Sequence, residues 1–333
     1  MSITRRAALG AALAIPAMAG ARAQGGEPLT FATPFGFIPD FIEMMNMVSG
    51  GHLARQGFAP RLIGAQGTSP AVQQLLANQV SFVRATAIDQ FLAVARGGAP
   101  LVSIATLYQG GTFNVISLRD RPIREARDLR GKTVGIVSVG GSTELLLDIV
   151  LRSAGIPREE VRREVTGNSP GALQLVRQGR VDCFIAAVGV VVALRRANEP
   201  IEVWNTDRYA PMPGQVYLTT REMLASRPEV VVRFLRALKA SCEEMRAGDL
   251  RAIFTRAGRD FEIPGIRNLD AAVELTEVAM RDLWMAQGEA NFLRNVAALW
   301  RQADDGIRGS GIAAVPDPAA LWSNDFIERA LRA

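Results

Sequence analysis

Gly131-Lys132-Thr133-Val134-Gly135-Ile136-Val137-Ser138-Val139-Gly140-Gly141-Ser142-Thr143 reads as a strand delivered into a glycine turn and the first turn of a helix. Thr133 to Val137 is β-branched and apolar, the pattern of a strand covered on both faces. Gly140 and Gly141 let the backbone turn tightly, and Ser142 and Thr143 supply hydroxyls where Glu144-Leu145-Leu146-Leu147 begins a helix. The unpaired N–H groups of such a turn, with the helix dipole behind them, favour an anion or a polar ligand head. A cap that serves helix stability alone is the alternative. Gly135 and Gly140-Gly141-Ser142 also approach the spacing of a P-loop, but Gly141 stands where a lysine must meet the phosphates, so nucleotide hydrolysis is not expected.

Working outward, short apolar runs alternate with helical ones on both sides. Upstream, Leu29 to Thr33, Pro60 to Gly64, Val80 to Val83 and Pro100 to Leu107 read as strands. Helices are predicted over Asp40 to Gln56, from Pro70, and over Ile88 to Arg96. Downstream come a helix over Glu144 to Ala154, strands over Val161 to Val165 and Val181 to Ala187, and a helix over Val190 to Ala197. This alternation predicts mostly parallel sheets flanked by helices.

Gly67-Thr68-Ser69-Pro70 and Gly167-Asn168-Ser169-Pro170 stand 100 residues apart at matched places in two such series, which marks a repeated lobe. In each, serine is expected to cap the helix that proline begins. Two similar lobes would aim helix N-termini at a shared crevice beyond their strand ends. Gly110 to Ile116 and Pro211 to Tyr217 are the expected hinge crossings, which gives a first lobe of residues 27–114 with 214–333 and a second of 115–213. After Thr220 only helices are predicted: Pro228 to Arg246, Asp249 to Ala257, Leu269 to Ala286 and Ala290 to Ala303, packing against the first lobe.

The N-terminus reads as a signal rather than as fold. Arg5-Arg6, an uncharged run from Ala7 to Ala19, and Ala21-Arg22-Ala23 form a secretory signal of twin-arginine type over residues 1–23, so a periplasmic location is expected. Removing Arg5, Arg6 and Arg22, and no acid, takes the formal charge from +5 to +2, which is no electrostatic footprint for nucleic acid. Cys183 and Cys242 lie in apolar patterns where buried free thiols are common, so no disulfide is expected. The single histidine, His52, and the scattered acids offer no metal-ligand spacing and no base beside a nucleophile, so neither metal, cofactor nor catalysis is expected.

What recurs is loop chemistry suited to holding a ligand: Thr33-Pro34-Phe35, Gly67-Thr68-Ser69, Arg84-Ala85-Thr86, Gly141-Ser142-Thr143 and Asn168-Ser169. The element order, the phrase Asp128-Leu129-Arg130-Gly131-Lys132-Thr133-Val134-Gly135 and the phrase Gly179-Arg180-Val181-Asp182 resemble the periplasmic solute-binding proteins of ABC importers. The branch resembled takes sulfonates, taurine, nitrate or thiamine-precursor pyrimidines. The resemblance covers Leu29 to about Met245 and implies a type II two-lobed binding protein.

It further implies a small organic ligand between the lobes, an inner-membrane permease with its ATPase as partners, and a monomer. Carried over by position, the ligand would meet Thr33, Phe35, Phe37, Thr68, Ser69, Thr86, Gly141, Ser142, Thr143 and Asn168. Phe35 and Phe37 suit an aromatic body, or serve as core; Ser142, Thr143 and Arg84 suit a polar or anionic end. The first lobe departs from the usual Gly-x-Val-Asp phrase with Asn78-Gln79-Val80-Ser81, so no particular ligand transfers. An enzyme that makes the pyrimidine on the same fold, and a sensor that reports to a membrane receptor, are the rival readings.

Overall fold

A computed structural model describes residues 26–311 and 314–332 of the chain; the expected export signal lies outside them. The first half of lobe one runs β1 (Glu27–Thr33), α1 (Ile42–Ser49), α2 (His52–Arg55), β2 (Phe58–Gly64), α3 (Thr68–Leu76), β3 (Phe82–Thr86), α4 (Ala87–Gly97) and β4 (Leu101–Tyr108). The chain then crosses into β5 (Phe113–Leu118), β6 (Thr133–Ile136), α5 (Ser142–Ser153), β7 (Arg162–Val165), α6 (Ala172–Arg177), β8 (Cys183–Ala187), α7 (Val188–Arg196) and β9 (Ile201–Asn205). It returns through β10 (Gln215–Thr220) and ends in α8 (Arg221–Ser226), α9 (Pro228–Ala247), α10 (Leu250–Asp260), α11 (Leu269–Ala279), α12 (Ala297–Gly309) and α13 (Asp325–Leu331).

Two five-stranded sheets result, in the orders β2-β1-β3-β10-β4 and β7-β6-β8-β5-β9. In each, the fourth strand is the one that has just crossed from the other lobe, and it runs antiparallel to both neighbours. The remaining pairings, β1 with β2 and β3, and β6 with β7 and β8, are parallel. The repeat read from the sequence is therefore a repeat of topology, with each strand-to-helix turn at the same end of its sheet.

Several predicted elements are corrected. The helix expected over Asp40 to Gln56 is broken, because Gly51 takes φ +70° and restarts the chain as α2. Phe113 to Ile116, expected within a crossing, belongs to a full strand, Phe113–Leu118; β9 and α13 went unpredicted. After a single 3-10 turn over Glu289–Asn291, Phe292 to Val296 is not helical. Thr106 N–H donates to Leu293 O at 3.2 Å, and Asn295 accepts from Ser103 Oγ at 2.8 Å and Thr106 Oγ1 at 2.9 Å. This segment covers the outer edge of β4, a better use of its backbone than a helix turn. Nor do the serines cap: α3 starts at Thr68 with Gly67 before it, and α6 starts after Gly171, without a side-chain cap in either case.

The tail was expected on lobe one alone, and it touches both. Helices α9, α10 and α13 build the lobe-one core with α1 and α2 around Phe31, Phe82, Phe234 and Trp284. Arg196 of α7, however, pairs with Glu274 of α11, and α12 packs on α5, where a Cβ at Gly306 would lie 3.1 Å from Ile149. Both cysteines are free and buried. Among the described residues no helix is long and apolar enough to cross a membrane.

Lobe one also buries a charge pair. Arg84 and Glu43 are each 1% exposed and meet at 2.7 Å, with Tyr217 donating to the same Glu43 oxygen at 2.7 Å and Arg84 to Asp40 O at 2.6 Å. Glu43→Ala strands the guanidinium, so we expect a loss of about 3–5 kcal/mol in urea denaturation. The combined Glu43→Leu, Arg84→Met replacement should recover most of it.

Candidate functional site

Gly131 to Thr143 forms the strand, turn and helix start of lobe two that meet lobe one, as its residues require. Gly135 lies on β6 where a Cβ would stand 2.6 Å from Thr166 and 2.7 Å from Phe184, so only glycine lets the neighbours approach. Gly140 takes φ +70°. At Gly141 a Cβ would fall 2.4 Å from Ser138 Oγ. These two glycines fold the chain back so that α5 begins at Ser142.

The two hydroxyls then part company. Thr143 is buried, and its Oγ1 accepts the Val137 N–H at 2.9 Å, tying the turn to the end of β6. Ser142 Oγ donates at 2.6 Å to Asp89 Oδ1, on α4 of lobe one. Asp89 is held in turn by Thr86, whose Oγ1 donates to its other oxygen at 2.7 Å and accepts its N–H at 3.2 Å. Beside this bridge both Arg96 Nη groups donate to Gly140 O at 3.3 Å. The lobes thus touch through Thr86, Asp89 and Ser142.

Below that bridge a cavity of about 10 Å³, room for one water, sits at the crossings. Thr86, Leu146, Thr112, Asp207 and Gly214 line it. Asp207 accepts the Gly111 N–H at 2.5 Å, and a Cβ at Gly111 would strike the carboxylate. Burial pushes this carboxyl up to about 6, against the pull of the Gly111 and Met212 N–H groups.

The other predicted site residues are placed as follows. Thr33 is buried at the end of β1 and donates to Gly36 O at 2.5 Å, a turn lock. Phe35 is 57% exposed beside Gln66, and Pro34 O accepts the Gly67 N–H at 2.7 Å, so Phe35, Thr68 and Ser69 share one rim of lobe one. Phe37 is turned inward against Phe261, with ring centroids 4.9 Å apart. Asn168 is exposed and accepts the Ala187 N–H at 3.0 Å, fixing the turn before α7. Arg84 lies beneath the cleft surface, between the Phe41 and Tyr108 rings at 4.9 and 4.6 Å; the idea that it meets a ligand anion is corrected by its pairing with Glu43.

Sequence reading missed Asp89, although Thr86-Ala87-Ile88-Asp89 carries the hydroxyl-to-acid spacing of a capping box. It also missed Asp207, Asp40 and Trp284, which no local pattern brings together. His52 serves the tail junction: its Nε2 lies 2.6 Å from Glu244, and burial lowers its pKa despite that carboxylate. No group of three or more His, Cys, Asp or Glu residues among those described is placed to hold a metal.

The chain belongs to the NMT1/THI5-like family. The family model matches residues 39–249, from just before α1 to just past the end of α9. Riboflavin-binding protein RibY of Chloroflexus aurantiacus is 23% identical over 259 residues, 74% of this chain and 70% of the relative. The 4-amino-5-hydroxymethyl-2-methylpyrimidine phosphate synthase of Aspergillus parasiticus is 22% identical over 235 residues, 66% of this chain and 67% of that one. Among solved structures, the periplasmic aliphatic sulphonate binding protein SsuA of Escherichia coli superposes with a TM-score of 0.67 at 16% identity, covering 90% of this chain and 99% of its own. That likeness establishes the periplasmic-binding-protein fold.

Two outcomes follow from the jaw and hinge. Thr143→Ala should cost about 1 kcal/mol in urea denaturation, by leaving the Val137 N–H unpaired, while Thr143→Ser keeps the bond. For Asp207 the native pKa lies above the ordinary carboxylate value, so the folded state binds the extra proton. Stability therefore rises as pH falls from about 6 toward about 4, and Asp207→Asn should flatten that rise in urea midpoints taken across the window.

Proposed function

We propose that this chain is the extracytoplasmic substrate-binding protein of an ABC importer. It captures a small organic solute in the cleft between the lobes and passes it to an inner-membrane permease with its ATPase. The observation that carries the reading is the Ser142–Asp89 bridge at the mouth of a two-crossing hinge, since a jaw that meets across a cleft is one that opens and closes. Lobe one is assigned residues 27–114 with 214–333, and lobe two residues 115–213. Export follows from the signal over residues 1–23, and the working form is a monomer.

Within the cleft Thr86, Gly141 and Ser142 sit at the closing edge, with Phe35, Thr68 and Ser69 on the lobe-one rim and Asn168 on the other. Thr33, Phe37 and Thr143 support these from below. The names of the relatives, one binding riboflavin and one a sulfonate, support capture of a small organic molecule.

The synthase relative raises an enzyme as the second reading. The placement of reactive groups argues for binding. Lys132 lies at the far end of β6 from the jaw and 3.8 Å from Asp182, while Lys239 pairs with Glu243 on α9. His52 is held in the tail junction, and burial raises the pKa of both thiols.

A solute that raises the melting temperature of the mature protein, makes it more compact in small-angle scattering, and is recovered unchanged supports the binding reading; recovery of a converted product supports the enzyme. Ser142→Ala removes a bond to a carboxylate, worth about 1.5–3 kcal/mol. It should therefore loosen the closed form and weaken that solute by roughly tenfold or more. Unchanged affinity in calorimetry would remove Ser142 from the site.

A further inference from the structure

Helix α12 is rooted in lobe one at both ends. Before it, Leu293 O accepts the Thr106 N–H at the edge of β4. After it, Gln90 of α4 donates to Leu321 O at 2.6 Å, and the Ser323 N–H donates to Ser103 O at 3.0 Å. Its own Trp300 ring packs on Phe91 of α4, with centroids 5.8 Å apart. The other flank of α12 lies on lobe two. A Cβ at Gly306 would stand 3.1 Å from Ile149 of α5, and one at Gly309 would strike the Arg152 guanidinium. The two glycines therefore let α5 side chains lie directly against the α12 backbone. Arg152 has no ion pair among the described residues; it meets the last turn of α12, where the carbonyl end of a helix favours a cation. Phe91, Ile149, Trp300 and Ile307 belong to one buried apolar core shared by α4, α5 and α12.

Helix α11 grips the other face of the second sheet. Side chains alternate across that sheet: Val115 and Ile185 face the core that holds α5, while Ile116 and Phe184 face α6 and α7. A Cβ at Gly189 of α7 would stand 3.6 Å from Leu275 of α11, and Glu274 pairs with Arg196. The chain then passes from α11 into a π-helical turn, Met280–Trp284, whose Leu283 O accepts the Gln109 N–H at 2.7 Å beside the first crossing. The Gln109 side chain donates to Asn291 O and Arg294 O, each at 2.9 Å. The tail is thus fastened to the hinge and to both faces of lobe two.

A swing of lobe two about the crossings leaves α12 on lobe one and must part it from α5. Parting them exposes Ile149 and the flank of α12 to water and takes Arg152 from the helix end, and both changes are unfavourable. We propose that the helical tail is a clamp that holds the empty jaws together, and that release of α12 from α5 is the step that opens them. The clamp is a property of the solute-free protein and goes beyond the solute-binding reading: a chain that bound no solute would still carry it.

Small-angle scattering and hydrogen exchange on the full mature chain, dialysed free of solute, test it. Gly306→Leu drives a side chain against Ile149. The radius of gyration should rise above the wild-type value, and exchange should quicken severalfold in residues 145–152 and in the turn 137–142, while residues 230–245 in the lobe-one core keep their protection. The Ile149→Cys, Gly306→Cys pair does the reverse. The two positions are close enough for a disulfide and the native thiols are buried, so oxidation should slow exchange in the same two segments until reductant is added.

A folded Gly306→Leu protein with wild-type scattering and exchange overturns the clamp, and so does an oxidised pair that exchanges as the wild type does. Where circular dichroism shows that Gly306→Leu does not fold, Arg152→Glu takes its place. That change is exposed and sets a negative charge against the carbonyl end of α12. The same shifts are expected from it at smaller size, and their absence overturns the clamp.

Discussion

Everything in this molecule depends on the exchange of one strand each way between its two sheets. β10 cannot pair with β3 and β4 until the chain has gone through the whole second lobe, and β5 cannot pair with β8 and β9 until it has left the first. Neither sheet is complete without a crossing. Because each inserted strand is antiparallel to its neighbours, the turns at the crossings come together at the end where the parallel strands deliver their helices. The hinge and the two jaws therefore lie on one side of the molecule as a consequence of strand order.

Much of this was legible because period-two and period-3.6 patterns are local. Thr133 to Val137, Ile88 to Arg96 and Pro228 to Arg246 declared themselves through their own residues. What misled was long-range. Ala290 to Val296 has helical composition, but a β4 edge 187 residues upstream of Leu293, at Thr106, takes its backbone bonds. Phe113 to Ile116 looked like part of a crossing because the partners of that strand, β8 and β9, come far later in the chain. Ser69 and Ser169 sit at the spacing of caps, yet glycines before each helix let the chain start it without them.

The candidate site was legible in its glycines and less so in its charges. Gly140 and Gly141 are required by backbone geometry that sequence can announce. Arg84 shows the opposite case. As a basic residue at a strand end it suggested a ligand anion, but which charge a guanidinium meets is settled by Glu43 and Tyr217, which come from a helix and a strand at either end of the lobe. Asp89 was hidden for the same reason: its local role is to share a cap with Thr86, while its cross-lobe role depends on how the hinge brings α5 over α4.

The bridge from Asp89 to Ser142 also bears on how much of a ligand's affinity is available for closing the jaws. A ligand shifts the open–closed balance only by the contacts it makes in one state and not in the other. In this protein part of the closed contact already exists within the chain: Asp89 with Ser142, Arg96 with Gly140, Arg196 with Glu274, and the packing of α11 and α12 on lobe two. Each such contact raises the population of closed protein before any solute arrives, so less of a solute's binding energy goes into closing the jaws, while entry through the open form becomes slower. The surface pairs count for little, about 1 kcal/mol or less each. The half-buried carboxylate–hydroxyl bond is the stronger one, and under the solute-binding proposal it is the one that a solute entering between α4 and α5 must meet. On that proposal solute capture and hinge opening are coupled through the same oxygen atoms, with Thr86 holding Asp89 in place for both.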